Sequence, residues 1–164
     1  MTEYNIRFAE RKDVSTILGF IRELADYEHM SDDVVATEEL LTEWIFEKQK
    51  AEVLIIAHNG HDAGFALFFH NFSTFLGRAG IYLEDLYVKP EFRKLGLGKA
   101  LLRRLAQITI ERDCGRLEWA CLNWNQLSID FYRSLGAAPM EEWTTYRVTG
   151  DTLCRLAEEN GVIP

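Results

Sequence analysis

The chain has 164 residues, of which 48% are hydrophobic, and it carries a formal net charge of −8. This length suits one domain with a substantial core, and the apolar content excludes a disordered chain. The acidic balance argues against general nucleic-acid binding and mildly favours a cationic partner, and the alternative is the acidic surface common to many soluble proteins. The sequence contains no apolar run near the roughly 18 residues of a membrane span, and its polar N-terminus does not resemble a secretory signal.

The hydrophobic pattern alternates between the strand and helix periods along the whole chain. In chain order it predicts a strand at 4–9, a helix from Asp13 to about Ala25, a helix at 38–47, strands at 52–58, 62–72 and 80–89, a helix at 98–112, a strand at 116–122, a helix at 125–135, a strand at 142–148 and a helix at 150–160. Asp13, Thr37 and Asn125 are the predicted N-caps, and Asn59-Gly60 is typical of a primed hairpin turn. We therefore predict a single α/β or α+β domain over 1–164 with a central mixed sheet.

The three cysteines, Cys114, Cys121 and Cys154, are scattered and contain no CxxC pair. An odd, dispersed set is typical of a reducing compartment, so we predict a cytoplasmic protein. The four histidines lack zinc-ligand spacing, and we therefore predict no metal site.

The stretch "LYVKPEFRKLGLGKALL" over 86–102 joins a predicted strand to a predicted helix. Gly96 and Gly98 lie where the helix begins, and a helix N-terminus presents free amides with a partial positive charge. Arg93, Lys94 and Lys99 add charge that opposes the helix dipole unless an anion is bound. The residues alone leave two interpretations open, an anion site and an ordinary tight turn with solvated charges.

Arg93-Lys94-Leu95-Gly96-Leu97-Gly98 resembles the R/Q-x-x-G-x-G/A signature of GNAT acyltransferases. "IRELADYEHM", "IYLEDLYV", "LNWNQLSIDFYRSLGA" and "EEW" are similar, in the same order, to the spermidine/spermine and thialysine N-acetyltransferase group. This resemblance implies a GNAT fold, with a mostly antiparallel twisted sheet flanked by helices. It also implies acetyl-CoA as donor, a small-molecule amine as acceptor, and a homodimer.

The resemblance assigns the donor site to two segments. Strand backbone would hold the pantetheine arm, loop amides would hold the pyrophosphate, and a following helix would add further contacts. The residues so assigned are Leu86, Tyr87, Val88, Arg93, Lys94, Leu95, Gly96, Leu97, Gly98, Lys99, Asn125, Ser128, Tyr132 and Arg133.

Two residues carry the predicted chemistry. Glu84 matches a family carboxylate that binds the amine and takes its proton through water, and Tyr132 matches the tyrosine that protonates the departing thiolate. Asp85 interrupts the same apolar strand, and its alternative role is an internal salt bridge to Arg78 or Arg116. A tyrosine beside an apolar helical stripe also has a structural alternative. Leu127, Phe131 and Leu135 are predicted to form that stripe and to face the core.

The acceptor site is predicted to contain Tyr27, Glu28, Phe75, Glu84, Asp85 and Glu142, or Glu141 in place of Glu142. For the glutamates outside the strand, ordinary surface charge is the alternative. Ser73-Thr74 is more similar to the thialysine branch than to polyamine-acetylating members, which tend to have an aspartate there. We therefore favour a lysine-like amino acid or small amine over spermidine. The alternatives are protein or peptide acetylation, and a CoA-binding sensor without turnover.

Overall fold

The structure is a computed structural model that describes residues 3–158. The chain divides into one unit over 1–120 and a second over 121–164. The first unit is built on a five-stranded sheet in the order β1-β2-β3-β4-β5. Its strands are β1 (Tyr4–Phe8), β2 (Glu52–His58), β3 (His61–Ser73), β4 (Arg78–Val88) and β5 (Leu117–Trp119). The first four pair antiparallel and β5 pairs parallel to β4, which confirms the predicted mixed, mostly antiparallel sheet.

The α-helices of this unit are α1 (Val14–Tyr27), α2 (Glu38–Leu41), which continues as a π-helical turn over Thr42–Glu47, and α3 (Leu97–Glu111). Thr37 caps α2 as predicted, because its Oγ1 accepts a hydrogen bond from the Leu40 amide at 3.2 Å. The predicted side-chain cap by Asp13 is wrong. Its carboxylate instead accepts two hydrogen bonds from the Arg7 guanidinium, at 2.7 and 2.9 Å, which lower the pKa of Asp13.

The core that supports the site lies between α1 and one face of the sheet. Phe20 of α1 stacks on Phe65 of β3 with ring centroids 5.3 Å apart, and Tyr87 of β4 lies 6.2 Å from Phe20. Ile17 and Ile55 are completely buried in the same cluster. This packing fixes the position of β4 against α1, because close-packed aromatic side chains tolerate little displacement.

The second unit contains α4 (Gln126–Ser134) and α5 (Gly150–Glu158). The strand predicted at 142–148 is wrong: those residues are irregular and exposed, and Tyr146 is 92% exposed. A strand needs a neighbour to satisfy its backbone groups, and no strand within residues 3–158 pairs with this segment. The predicted inward stripe on α4 is also wrong, because Leu127 is 77% exposed and Leu135 is exposed too.

The remaining boundaries differ from the predictions by small amounts. β5 is shorter than the strand predicted at 116–122, and the last two residues of the helix predicted at 150–160 lie outside the described residues. The turn between β2 and β3 has positive φ at both Asn59 (49°) and Gly60 (80°), as a primed turn requires. No helix within residues 3–158 has the length and apolar content needed to cross a membrane.

Candidate functional site

The strand pairing and the register of β4 change halfway along its length. Leu83 pairs with Phe68 of β3 while Asp85 pairs with Leu67, so Glu84 is an extra residue in a β-bulge. Bulges bend a strand and redirect its side chains. β5 pairs only with Ile81–Leu83, so residues 84–88 have no strand neighbour on that edge within the first unit. The second half of β4 therefore combines a carboxylate pair with a free backbone edge.

The two carboxylates, Glu84 and Asp85, have different surroundings. Glu84 is exposed, whereas Asp85 is partly buried on the face that also carries Leu67 and Tyr87 and packs towards α1. Burial, followed by the charges of Glu84 and Glu28, raises the pKa of Asp85 to about 6. Burial also raises the pKa of Glu28, at the end of α1. The three acidic side chains therefore form one electrostatically connected group.

The salt bridge considered for Asp85 is absent from the described part of the chain. Arg78 instead pairs with Asp113 at 3.0 Å, and Arg116 pairs with Glu118 at 2.8 Å. An uncompensated carboxylate in a partly buried strand position is costly for the fold, and such positions are common at functional sites. The structural alternative for Asp85 is therefore wrong, and its unpaired state favours a functional role.

Arg93 connects the end of β4 to α1. Its Nε donates a hydrogen bond to the Val88 carbonyl at 3.0 Å, and its guanidinium lies 5.1 and 5.8 Å from the ring centroids of Tyr27 and Tyr87. Burial and a hydrogen bond to Glu23 raise the pKa of Tyr87 to about 12. Glu23 is absent from the sequence-based site. Its position four residues before Tyr27, on the same helix face, is the signal that would have indicated it.

The loop after β4 has the geometry of an anion-binding nest. Lys94 and Gly96 both have positive φ, at 63° and 79°, and α3 begins directly after them at Leu97. Among the described residues, the backbone amides from Lys94 to Lys99 donate no hydrogen bond. Alternating left-handed residues turn successive N–H groups towards one point, where they bind anions. The unsatisfied amides favour the anion site over the ordinary turn.

The side chains of this loop leave the amides accessible. Gly98 has only the Val88 Cγ2 atom near its missing Cβ, at 4.0 Å. The side chains of Lys94, Leu95 and Lys99 are exposed, whereas that of Leu97 is buried beneath the loop. A diphosphate fits this arrangement, because backbone donors, a helix N-terminus and flanking ammonium groups all attract negative charge.

The predicted residues of the second unit lie on one side of α4. Asn125 caps the helix, since its Oδ1 accepts a hydrogen bond from the Ser128 amide at 3.3 Å. Asn125, Ser128 and Tyr132 are all partly buried, and the Tyr132 ring lies 5.5 Å from that of Phe131. Arg133 is exposed. The cap confirms one of the two roles considered for Asn125; the ligand contacts of this helix remain predictions.

The specificity residues predicted on β3 and its turn are not close to the carboxylates of their own chain. Ser73 is buried and holds the turn, because its Oγ accepts a hydrogen bond from the Leu76 amide at 3.2 Å. Phe75 is 99% exposed at the hairpin tip, about 20 Å or more from Asp85 along β4 at the usual rise per strand residue. Glu141 and Glu142 are exposed. Substrate roles for Phe75 and Glu142 therefore remain predictions.

Comparison with known proteins gives a consistent family. A profile described as the acetyltransferase (GNAT) family matches residues 16–137. The chain is 37% identical to a thialysine N-epsilon-acetyltransferase of Bos taurus, across 93% of this chain and 96% of that protein. It is 36% identical to one of Caenorhabditis elegans, across 87% and 90% of the two chains.

Solved structures agree with this result. An integron cassette protein from V. cholerae superimposes with a TM-score of 0.81 at 27% identity, across 97% of this chain and all of that one. An aminoglycoside N-acetyltransferase in complex with CoA superimposes at 0.69 with 20% identity, across 90% and 96% of the two chains, and so shows the fold alone. Within residues 3–158, no group of three or more His, Cys, Asp or Glu side chains is arranged to hold a metal ion. The chain belongs to the GNAT acetyltransferase family.

Proposed function

We propose that this protein transfers an acetyl group from acetyl-CoA to a primary amine of a small molecule, by direct attack in a ternary complex. The observation that carries the proposal is the second half of β4, where a free strand edge and the Glu84–Asp85 carboxylates directly precede a loop of unsatisfied amides. The relatives named as thialysine N-epsilon-acetyltransferases support the same reaction.

We assign the donor site to the loop after β4 and to the unpaired edge of the second half of β4. The amides of Lys94–Lys99 would bind the diphosphate of CoA, and the edge of residues 86–88 would hydrogen-bond to the amides of the pantetheine arm. Arg93 keeps the loop against β4 through the Val88 carbonyl. Asn125, Ser128 and Arg133 are the further contacts that we propose from α4.

We assign the acceptor site to the three acidic side chains, Glu28, Glu84 and Asp85. An alkylammonium has a pKa of about 10.4, so it is protonated at neutral pH and must lose a proton before its nitrogen can attack. Glu84, which is exposed, would bind the ammonium and accept that proton through water. Asp85, with its pKa of about 6, and Glu28 would hold the cation by charge. Tyr27 would supply an aromatic wall.

The chemistry then needs one further group. The amine nitrogen attacks the thioester carbonyl, the carbon–sulfur bond breaks, and the products are an amide and the CoA thiolate. We assign Tyr132 as the general acid that gives its proton to the departing sulfur. The ammonium nitrogen loses two protons in becoming an amide: the first goes to Glu84 and on to water before the attack, and the second leaves the nitrogen after the attack and replaces the proton that Tyr132 gives to the sulfur. One proton is therefore released to water in each turnover.

A lysine-like amino acid or a small diamine fits the acidic group best. Three carboxylates, Glu28, Glu84 and Asp85, suit a short acceptor with one or two positive charges. Ser73 forms a hydrogen bond within the turn and contributes no charge at the position where polyamine-acetylating members tend to carry an aspartate. This favours the shorter acceptor over a long polycation.

We also propose that the protein is a cytoplasmic homodimer. Large apolar side chains of the second unit, including Trp143 and Tyr146, are exposed in the single chain, and a dimer interface would cover such surface. Phe75 would reach an acceptor site only if that site belonged to the partner. The cysteines are free thiols, as expected in a reducing compartment. Light scattering coupled to size exclusion distinguishes a dimer of about twice 19.0 kDa from a monomer.

A continuous thiol-release assay with acetyl-CoA and an amine panel tests the function. The panel contains thialysine, lysine, 1,3-diaminopropane, spermidine and a lysine-containing peptide. We expect release with thialysine or a short diamine, and weaker release with spermidine. Release with the peptide alone would overturn the small-molecule acceptor, and no release above hydrolysis with any amine would favour the CoA-binding sensor instead.

A further inference from the structure

A polar cluster lies on the sheet face that carries Asp85, further along the strands. Leu67 and Asp85 pair across β3 and β4 on the face that packs towards α1. Phe69 and Asn71 follow Leu67 at alternate positions of β3, so they share this face. Asn71 Nδ2 donates a hydrogen bond to Glu118 Oε1 of β5 at 3.0 Å, which places the Glu118 carboxylate on the same face. The cluster therefore extends the surface that begins at Asp85.

Arg116, the residue before β5, completes the cluster. Its Nε lies 2.8 Å from Glu118 Oε1. Gly80 of β4 provides the space for these side chains, because a Cβ there would lie 2.5 Å from Asn71 Oδ1 and 3.2 Å from Arg116 Cγ. The guanidinium and the carboxylate are thus held side by side above the sheet. Their side chains are 39% and 35% exposed, so a ligand from solution can reach both charges.

The hydrogen bonding of this cluster is incomplete. Within residues 3–158, the buried side-chain atoms without a hydrogen-bond partner are Asn71 Oδ1 and Arg116 Nε, since Nε approaches Glu118 Oε1 without the alignment of a hydrogen bond. Unsatisfied buried polar atoms destabilise a fold, so folding stability does not explain the cluster. Such exceptions are expected at functional sites. The exposed parts of Arg116 and Glu118 therefore form a candidate binding surface.

The distance between this surface and the acceptor carboxylates matches one kind of acceptor. Glu118 is in register with Tyr82, which is in register with Phe69. Phe69 lies two residues along β3 from the partner of Asp85, so Glu118 is displaced from Asp85 by about 7 Å along the sheet. In an extended lysine, about 7–8 Å separate the terminal nitrogen from the carboxylate carbon at standard bond lengths. An amine at Asp85 would thus bring its α-carbon groups to Arg116 and Glu118, with its chain along the Phe69 ring.

We propose that Arg116 binds the α-carboxylate and Glu118 the α-ammonium of an amino-acid acceptor whose terminal amine is acetylated. A guanidinium beside a carboxylate matches the two opposite charges of an α-amino acid, whereas a diamine has no group for Arg116. This inference rests on the proposed acetyl transfer and deepens it. The three acceptor carboxylates suit an amino acid and a small diamine equally, and Arg116 selects the amino acid.

The test measures kcat/KM with three acceptors that share the same reacting aminoethyl group. Thialysine carries both head-group charges, bis(2-aminoethyl) sulfide lacks only the carboxylate, and 3-[(2-aminoethyl)sulfanyl]propanoate lacks only the α-ammonium. We expect the wild type to prefer thialysine to the sulfide by about tenfold per amine, as for one charge-assisted contact. Arg116→Gln should lower kcat/KM about tenfold for thialysine and the propanoate, and less than about threefold for the sulfide. Glu118→Gln should lower it for thialysine and the sulfide, and leave the propanoate unchanged.

Arg104→Gln is the matched control. Arg104 is also a partly exposed arginine in an ion pair, 2.8 Å from Glu111, but it lies on α3, and its loss should leave the preference for thialysine unchanged. The comparison of acceptors on the wild type needs no variant, so it still decides if Arg116→Gln does not fold. The inference is overturned if the wild type acetylates the sulfide as efficiently as thialysine, or if Arg116→Gln lowers kcat/KM equally for both. Absence of transfer to all three acceptors would instead overturn the proposed function, and this inference with it.

Discussion

The two halves of β4 have nearly the same apolar composition and opposite roles. The first half, Arg78–Leu83, pairs with β3 and, over its last three residues, with β5. The second half, from Glu84 to Val88, begins with a bulge, loses its neighbour on one edge and carries two carboxylates. The comparison shows that the candidate site begins where the pairing of β4 with β5 ends. Backbone groups that pair with no strand are available to a ligand.

Tyr132, the general acid that we propose for the thiolate, is a reacting group that lies on α4 and not on β4. Tyr132→Phe removes only the phenol oxygen, so we expect kcat to fall by about 10²-fold or more while the affinity for acetyl-CoA stays near wild type. Thiol release gives kcat, and calorimetry gives the affinity. Turnover near wild type in this variant would remove Tyr132 from the mechanism.

Glu84→Gln tests the second half of β4 directly. Because an amide cannot accept the ammonium proton, we expect kcat at pH 7 to fall by about 10²-fold. Tyr82→Phe, in the first half of the same strand, is the control and should change kcat by less than threefold, an estimate for a group outside the reaction. Equal losses in the two variants would contradict the division of the strand into a structural and a functional half.

The buried charge of Asp85 should lower stability at neutral pH. Its pKa of about 6 lies above the ordinary 3.8, so between these pH values the folded chain binds more protons than the unfolded chain. Stability should therefore fall as the pH rises from about 4 through 6, by about 3 kcal/mol at most. Asp85→Asn should remove this loss, so that the variant is more stable than the wild type at pH 7. Urea unfolding at pH 4 and pH 7 measures both effects.

The matched control for that measurement is Asp32→Asn, at an exposed position. It should leave the pH dependence of the free energy of unfolding unchanged. If Asp85→Asn unfolds with the wild-type pH dependence, the acidic group does not strain the fold and the argument for a functional Asp85 fails.

Two left-handed glycines flank the two halves of β4 and give the smallest predicted effect. Gly77 (φ 66°) precedes the strand and Gly96 (φ 79°) follows it, and neither has an atom within 4 Å of its missing Cβ. Alanine at either position should cost about 1 kcal/mol of stability, through the same backbone strain. Only Gly96→Ala should also weaken acetyl-CoA binding, by about fivefold, because only its loop presents free amides. Equal binding losses would show that strain alone weakens the donor site.

The sheet could be predicted from the sequence because the residues of each strand show an apolar pattern that does not depend on distant parts of the chain. Alternating apolar residues and the Asn59-Gly60 turn determine β2 and β3 locally. The strand predicted at 142–148 fails for the opposite reason, since β-branched and aromatic residues indicate a strand only when a partner is available. The apolar spacing on α4 likewise indicates a buried face, but burial depends on what packs against the helix.

The site was predictable where its chemistry lies in consecutive residues. The glycines and basic residues of the loop over 93–99 left an anion site and an ordinary turn open, and the left-handed Lys94 found in the structure favours the anion site. The bulge at Glu84 was not predictable, because it depends on the register with β3. Glu23 and the raised pKa of Asp85 depend on contacts between α1 and β4, which are distant in sequence.

Hydrogen–deuterium exchange resolved to single amides, with and without acetyl-CoA, tests the central claim most directly. We expect acetyl-CoA to slow exchange at Lys94–Lys99 and along residues 86–88, where no strand within residues 3–158 covers one edge, and to leave Ile81–Leu83 unchanged. Unchanged exchange at Lys94–Lys99 in a sample saturated with acetyl-CoA would contradict the claim that the unpaired half of β4 and its loop form the donor site.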